Sequence, residues 1–195
     1  MNTGTSSNAT YSGLITLGSN STISSPNQKL TLSNTGQITG DGFTLTFSGW
    51  GEIAGEIATG SGGLTKTSAL DLKLTGLNTY TGPTIISGGT LSVNVLADGG
   101  VASGIGQSSN AASNLIFTGT SSSLSFTGTS STDRLFTVSG NAEIAVTGSL
   151  AFTNTGNIVN NATSANTLTL TTSSSASIGT LTPVWGNSAS YAASL

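Results

Sequence analysis

Gly63-Leu64-Thr65-Lys66-Thr67, Leu70-Asp71-Leu72-Lys73-Leu74-Thr75-Gly76, Asn78-Thr79-Tyr80-Thr81-Gly82 and Thr84-Ile85-Ile86-Ser87-Gly88-Gly89-Thr90-Leu91 follow one another almost without interruption. Leu70 to Leu74 alternates apolar with polar, and Leu91-Ser92-Val93-Asn94-Val95 does so again. A period of two gives one dry face and one wet face, which describes a short strand. Gly76, Gly82, Gly88 and Gly89 separate the runs, where a stacked chain has to turn sharply and bring backbones together. Leu72, Leu74, Ile85, Leu91 and Val93 are expected to fill an interior, with Thr and Ser facing water. Asn78 is expected at a corner with its amide paired to a neighbouring coil, and Tyr80 over the apolar edge.

The same texture extends along the chain. Leu30-Thr31-Leu32, Phe43-Thr44-Leu45-Thr46-Phe47, Leu124-Ser125-Phe126, Ile144-Ala145-Val146 and Leu168-Thr169-Leu170 alternate likewise, with Gly-, Asn- and Ser-rich breaks between them. No segment sustains a helical period. Asp98 to Asn114 comes closest, but Gly99, Gly100, Gly104 and Gly106 reduce it to a loop holding at most one short turn. We expect residues 97–114 to protrude from the main body as a loop.

Internal repetition decides among the all-β architectures. Leu30 to Ile38 reads LTLSNTGQI and Leu150 to Ile158 reads LAFTNTGNI, with five identities. Thr44-Leu45-Thr46 is answered more loosely by Thr167-Leu168-Thr169, and Ser61-Gly62-Gly63-Leu64 by Ala192-Ala193-Ser194-Leu195. Many short strands in a long repeat suit a solenoid, in which each coil contacts only its neighbours. The expected fold is therefore all-β: one right-handed parallel β-helix over residues 1–195, with short strands and Gly/Asn/Ser-rich turns. At about 20 residues a coil and about 4.8 Å between coils, it would form roughly 10 coils and a rod of order 45 Å.

Residues 63–93 resemble the autotransporter-associated β-strand repeat, whose core runs G-L-T-K, then alternating Leu, then N-T-Y-T-G-G-T and G-T-L. Three departures stand out: Ser68 replaces a Gly, Leu70-Asp71 disturbs a Gly-Thr step, and Pro83 replaces the second Gly after Tyr80-Thr81-Gly82. Pro83 has no backbone donor and belongs at a corner or a strand start. The resemblance implies a secreted passenger carried to the bacterial cell surface by an outer-membrane barrel that lies outside this chain, and acting as a spacer, display stalk or adhesin. Two alternatives stay open. One is a self-assembling extracellular filament subunit joined through its end strands, with polar Met1 to Thr10 shielding one edge and no comparable cap after Tyr191. The other is a carbohydrate-binding or carbohydrate-cleaving β-helix.

Composition excludes several chemistries. The chain has four Lys and Arg, seven Asp and Glu, a formal charge of -3, no His and no Cys. So few cations cannot neutralise a phosphate backbone, which argues against nucleic acid. Without His and Cys, zinc, haem, iron–sulfur and thiol chemistry lose their usual ligands and nucleophiles, and serine lacks an ordinary triad partner. Asp41, Glu52, Glu56, Asp71, Asp98, Asp133 and Glu143 are the carboxylates. Only Glu52 and Glu56 are spaced to share a strand face, unless Gly55 turns the chain between them. Asp133-Arg134 reads as a surface ion pair of little weight. Gly40-Asp41-Gly42 and Ala97-Asp98-Gly99-Gly100 lack the repeated Asp of calcium solenoids. Trp50 and Trp185 follow turn-like contexts and read as edge packing, with a sugar-stacking platform as the rival reading. The Thr positions are too irregular for an ice-binding array. Asn8-Ala9-Thr10, Asn20-Ser21-Thr22 and Asn161-Ala162-Thr163 are sequons that this composition produces by chance. No basic leader and no apolar run of about 18 residues is present. We thus expect no enzyme and no catalytic, cofactor or metal site, and the resemblance implies a surface or extracellular location. The chain reads as a fragment of a longer array, and partners are limited to its own end strands, a receptor or a polysaccharide.

Overall fold

The computed structural model describes residues 7–173, 177–182 and 184–187. It is all-β, a parallel solenoid of about seven turns. Each complete turn offers three strand positions. Leu64–Lys66, Thr84–Ile86, Leu115–Phe117 and Thr137–Val138 stack on one face, and Leu72–Leu74, Gly89–Val93, Ser122–Phe126 and Ala142–Val146 on a second. Ile15–Thr16, Ile38–Thr39 and Ile57–Ala58 begin a third, which Thr129–Thr132 and Ser149–Phe152 resume. The early strands Ser21–Leu32 and Leu45–Ile53 run unbroken around the corner between the first two faces, which joins them into one sheet. Gly49 makes that corner possible: its φ is +139°, and a Cβ there would lie 2.1 Å from the carbonyl oxygen of Ser25.

Strand alternation delivers the core. On the second face Leu32, Ile53, Leu74, Val93, Phe126 and Val146 lie in one ladder, a residue per turn. On the first, Phe47, Lys66, Ile86, Phe117 and Val138 do the same. Phe117, Phe136 and Phe152 meet edge to face at 5.8 Å between centroids. Each fully buried Leu, Ile or Phe contributes roughly 1.5–3 kcal/mol, so the stack is held by its interior. Ile85, expected inside, points outward and is half-buried, whereas Thr84 and Ile86 are buried. Two adjacent isoleucines leave the parity open in sequence; pairing with Leu64–Lys66 settles it.

The turns are unequal, which is why there are fewer than ten. Leu64 pairs with Thr84, a step of 20 residues, but Thr84 pairs with Leu115, a step of 31, because the chain detours through residues 97–114. A further long step separates Ala142 from Leu168. About seven rungs at about 4.8 Å give a stack of order 35 Å.

The two similar stretches occupy different corners. Leu30 and Leu32 are on the second face and Ile38 on the third, whereas Leu150 and Phe152 are on the third and Ile158 on the first. What recurs is a strand–corner–strand unit, rotated by one face. Ala192 to Leu195, Met1 to Ser6, Tyr191 and the Trp185 side chain lie outside the described residues.

Candidate functional site

The polar residues of the 63–93 stretch are turned into the solenoid. In Leu64-Thr65-Lys66, alternation that buries Leu64 also buries Lys66, which is fully enclosed. Its Nζ donates to the carbonyls of Ser68 (2.6 Å) and Gly88 (2.8 Å), one turn apart. Burial depresses its pKa to about 8, opposed by the nearby charge of Asp71. Asn78 accepts from the Ile57 N–H (2.8 Å) and donates through Nδ2 to the Gly104 carbonyl (2.9 Å), so one buried amide spans three turns. Tyr80 is fully buried and its hydroxyl meets Thr84 Oγ1 at 2.7 Å, while Thr84 donates to the Ile105 carbonyl. Enclosure drives the Tyr80 pKa upward and removes its ring from any ligand. The expectation of Tyr80 at an edge is corrected: a ring at an inward position has room only in the core.

Residues 97–114 lie against the body. Ser103, Ile105 and Ser108 are buried, Ser103 bridges Asn78 in antiparallel sense, and Ala112–Asn114 forms a single short 3-10 turn. Arg134 secures them. It is 2% exposed, and its guanidinium donates to the carbonyls of Ala97 (2.9 Å), Gly106 (3.0 Å) and Val101 (3.2 Å) and to Ser108 Oγ (2.9 Å). Desolvation lowers its pKa. The Asp133-Arg134 surface pair is therefore replaced by an internal clamp. Asp133 turns the other way, accepting from the Gly99 N–H (2.7 Å) and Asn110 Nδ2 (2.8 Å). A single arginine in a chain this poor in cations was the available signal; which way it pointed depends on carbonyls 28 to 37 residues earlier.

Glu52 and Glu56 are held by different partners. Glu52 receives Lys29 Nζ at 2.6 Å and Lys73 Nζ at 3.4 Å, and the Lys29 hydrogen bond holds its carboxyl below the usual carboxylate range. Glu56 accepts from Gln37 Nε2 (3.0 Å) and from the Thr79 hydroxyl. Between them the chain leaves Leu45–Ile53 and re-enters at Ile57–Ala58 on another face. A surface groove of about 250 Å³ is lined by Thr120, Ser121, Ser123, Asn141, Glu143 and Thr169, and holds one carboxylate and no aromatic ring. Among the described residues no three His, Cys, Asp or Glu gather as for a metal.

Trp50 is 43% exposed on the outer side of Leu45–Ile53. Leu30, Gly51 and Leu72 are register partners, so Lys29, Trp50 and Asp71 precede them on successive turns, with Thr31, Glu52 and Lys73 in the next outward row. Pro26 to Lys29 bulge opposite Trp50, where the register shifts between Ser25 and Leu30.

Residues 64–93 match the passenger-associated-transport-repeat family, in agreement with the resemblance read from the same residues. Similarity extends to an adhesin autotransporter, BmaC, of Brucella suis biovar 1 (strain 1330), 44% identical over 93 residues. That alignment covers 46% of this chain, which spans 3% of the relative's length. No solved structure matches. No helix among the described residues is long and apolar enough to cross a membrane.

Proposed function

We propose that this chain is a solenoid segment of a bacterial surface passenger, serving as spacer, display stalk or adhesive surface rather than as an enzyme. The observation that carries this reading is the commitment of the repeat's own polar residues, Lys66, Asn78 and Tyr80, to hydrogen bonds inside and between turns. Those residues build a rod; they present nothing to a substrate. The separate partners of Glu52 and Glu56 support a non-catalytic role, since hydrolysis of a glycoside needs two cooperating carboxylates. An outward location follows from the likeness to a passenger repeat and to an adhesin.

The test joins the chain to an outer-membrane barrel translocator and probes intact cells with antibody and protease. A folded, antibody-accessible, protease-resistant segment is expected, with no release of reducing ends from polysaccharides. Retention inside the cell, or turnover of a polysaccharide, overturns the reading.

A further inference from the structure

We propose that the outward patch around Trp50 is a subsite for a neutral pyranose unit of a glycan. The proposal deepens the adhesive reading above by naming a ligand class.

The first observation is where the scarce charges are placed. Of four Lys and Arg in the chain, Lys66 and Arg134 are buried. The remaining two, Lys29 and Lys73, flank Trp50 on the turns before and after it. Glu52 lies two residues along the same strand and Asp71 stands beside Trp50 on the next turn. In a chain with 6% charged residues, an exposed Trp50 with two lysines and two carboxylates at neighbouring register positions is a concentrated chemistry.

The second observation is that these groups retain hydrogen-bonding capacity. Lys73 Nζ is 3.4 Å from Glu52, its side chain is 57% exposed, and an ammonium has three N–H donors. The exposed Asp71 carboxylate accepts no hydrogen bond from the described residues, leaving both oxygens for ligand hydroxyls. Lys29, by contrast, is drawn tightly to Glu52 at 2.6 Å, which holds that carboxylate in place two residues along the strand from Trp50.

Geometry and charge then select the ligand. Neighbouring rows lie about 4.8 Å apart across the turns and about 7 Å apart along a strand, so the backbone positions that carry Lys73 and Asp71 lie within the span of one sugar ring from that of Trp50. A flat apolar ring face packs on an indole, and hydroxyls at its rim meet both carboxylate and ammonium. The four charges sum to zero. An anionic ligand would confront Glu52 and Asp71, a cationic one Lys29 and Lys73, whereas a neutral polyol meets no net charge and takes its donors from Lys73 and its acceptors from Asp71.

The experiment applies the intact chain to an array of neutral and acidic oligosaccharides and a hexalysine peptide, then titrates the strongest neutral binder by calorimetry and tryptophan emission. The expected result is binding of a neutral oligosaccharide with an emission change that Trp50→Phe removes. Trp50→Ala should weaken it about tenfold, and Asp71→Asn and Lys73→Gln about threefold each. Thermal melts are expected to show all variants folded. Absence of neutral binders, preference for charged probes, or equal affinity in Trp50→Ala overturns the proposal. Because binding is read in solution, such a failure leaves the cell-surface test of the passenger reading untouched, and failure of that test leaves this one standing.

Discussion

Asn34 and Asn154, 120 residues apart, make the same two hydrogen bonds at different corners of the solenoid. Each Oδ1 accepts from a glycine N–H two residues on, Gly36 at 2.7 Å and Gly156 at 2.8 Å. Each Nδ2 donates at 2.7 Å to a carbonyl of the preceding turn, Ser12 for one and Asp133 for the other. The side chain thus closes its own corner and fastens it to the turn below.

Asn34→Ala and Asn154→Ala should each lower stability by about 1–2 kcal/mol, the loss of two hydrogen bonds, both partly buried at Asn154 and one of them exposed at Asn34. Denaturant unfolding checks the size. Equal losses at the two sites would show that the corner is a portable unit whose energy does not depend on the face it joins.

Arg134→Met should be costlier, about 3 kcal/mol or more, because it strands several enclosed carbonyls at once. Amide exchange is expected to quicken selectively over residues 97–114. Arg134→Lys should rescue little, since a single ammonium cannot reproduce a planar fork directed at Ala97, Ser108 and Gly106.

Lys66 makes stability depend on alkaline pH. Its folded pKa of about 8 lies below the ordinary value of 10.5, so the unfolded chain holds the proton more firmly between those two values. Stability should therefore rise as pH increases from about 8 to 10.5, by up to about 3 kcal/mol, and stay flat from this source below pH 8. The slope is expected to vanish in Lys66→Met, and in Asp71→Asn, which removes the charge that favours the ammonium, the window should extend lower while its upper edge stays near 10.5. Melting temperatures across that range in the three proteins measure it.

Tyr80→Phe should cost about 1 kcal/mol through the hydrogen bond with Thr84, and Tyr80→Ala about 3–5 kcal/mol through the void it leaves. Neither Tyr80→Phe nor a conservative core change elsewhere is expected to alter glycan binding at Trp50. Calorimetry on Tyr80→Phe beside its melting curve separates the two effects.

The strands and the solenoid were legible because a parallel stack repeats a local rule: alternation names the inward residues, and Gly, Asn and Ser mark the corners. The rule already held the position of Lys66, two residues after an inward Leu64, although its charge argues for the surface. It failed at Ile85-Ile86, where both parities are apolar and the neighbouring turn decides. The setting of Arg134 was hidden for another reason: its acceptors are backbone carbonyls, which carry no residue identity and are brought near only by the detour through residues 97–114. The grouping at Trp50 was equally out of reach, because Lys29, Trp50 and Asp71 become neighbours through registers that strand parity cannot supply.

The strands of this rod lie across its length, so tension applied from end to end does not shear the ladders; it unzips them one rung at a time, at low force. Asn78, which grips the turns on both sides of its own, and Arg134, which reaches back to Ala97, interrupt that unzipping. They act as rip-stops in a fabric whose seams otherwise open in sequence, and the middle of the segment should be where a tear arrests.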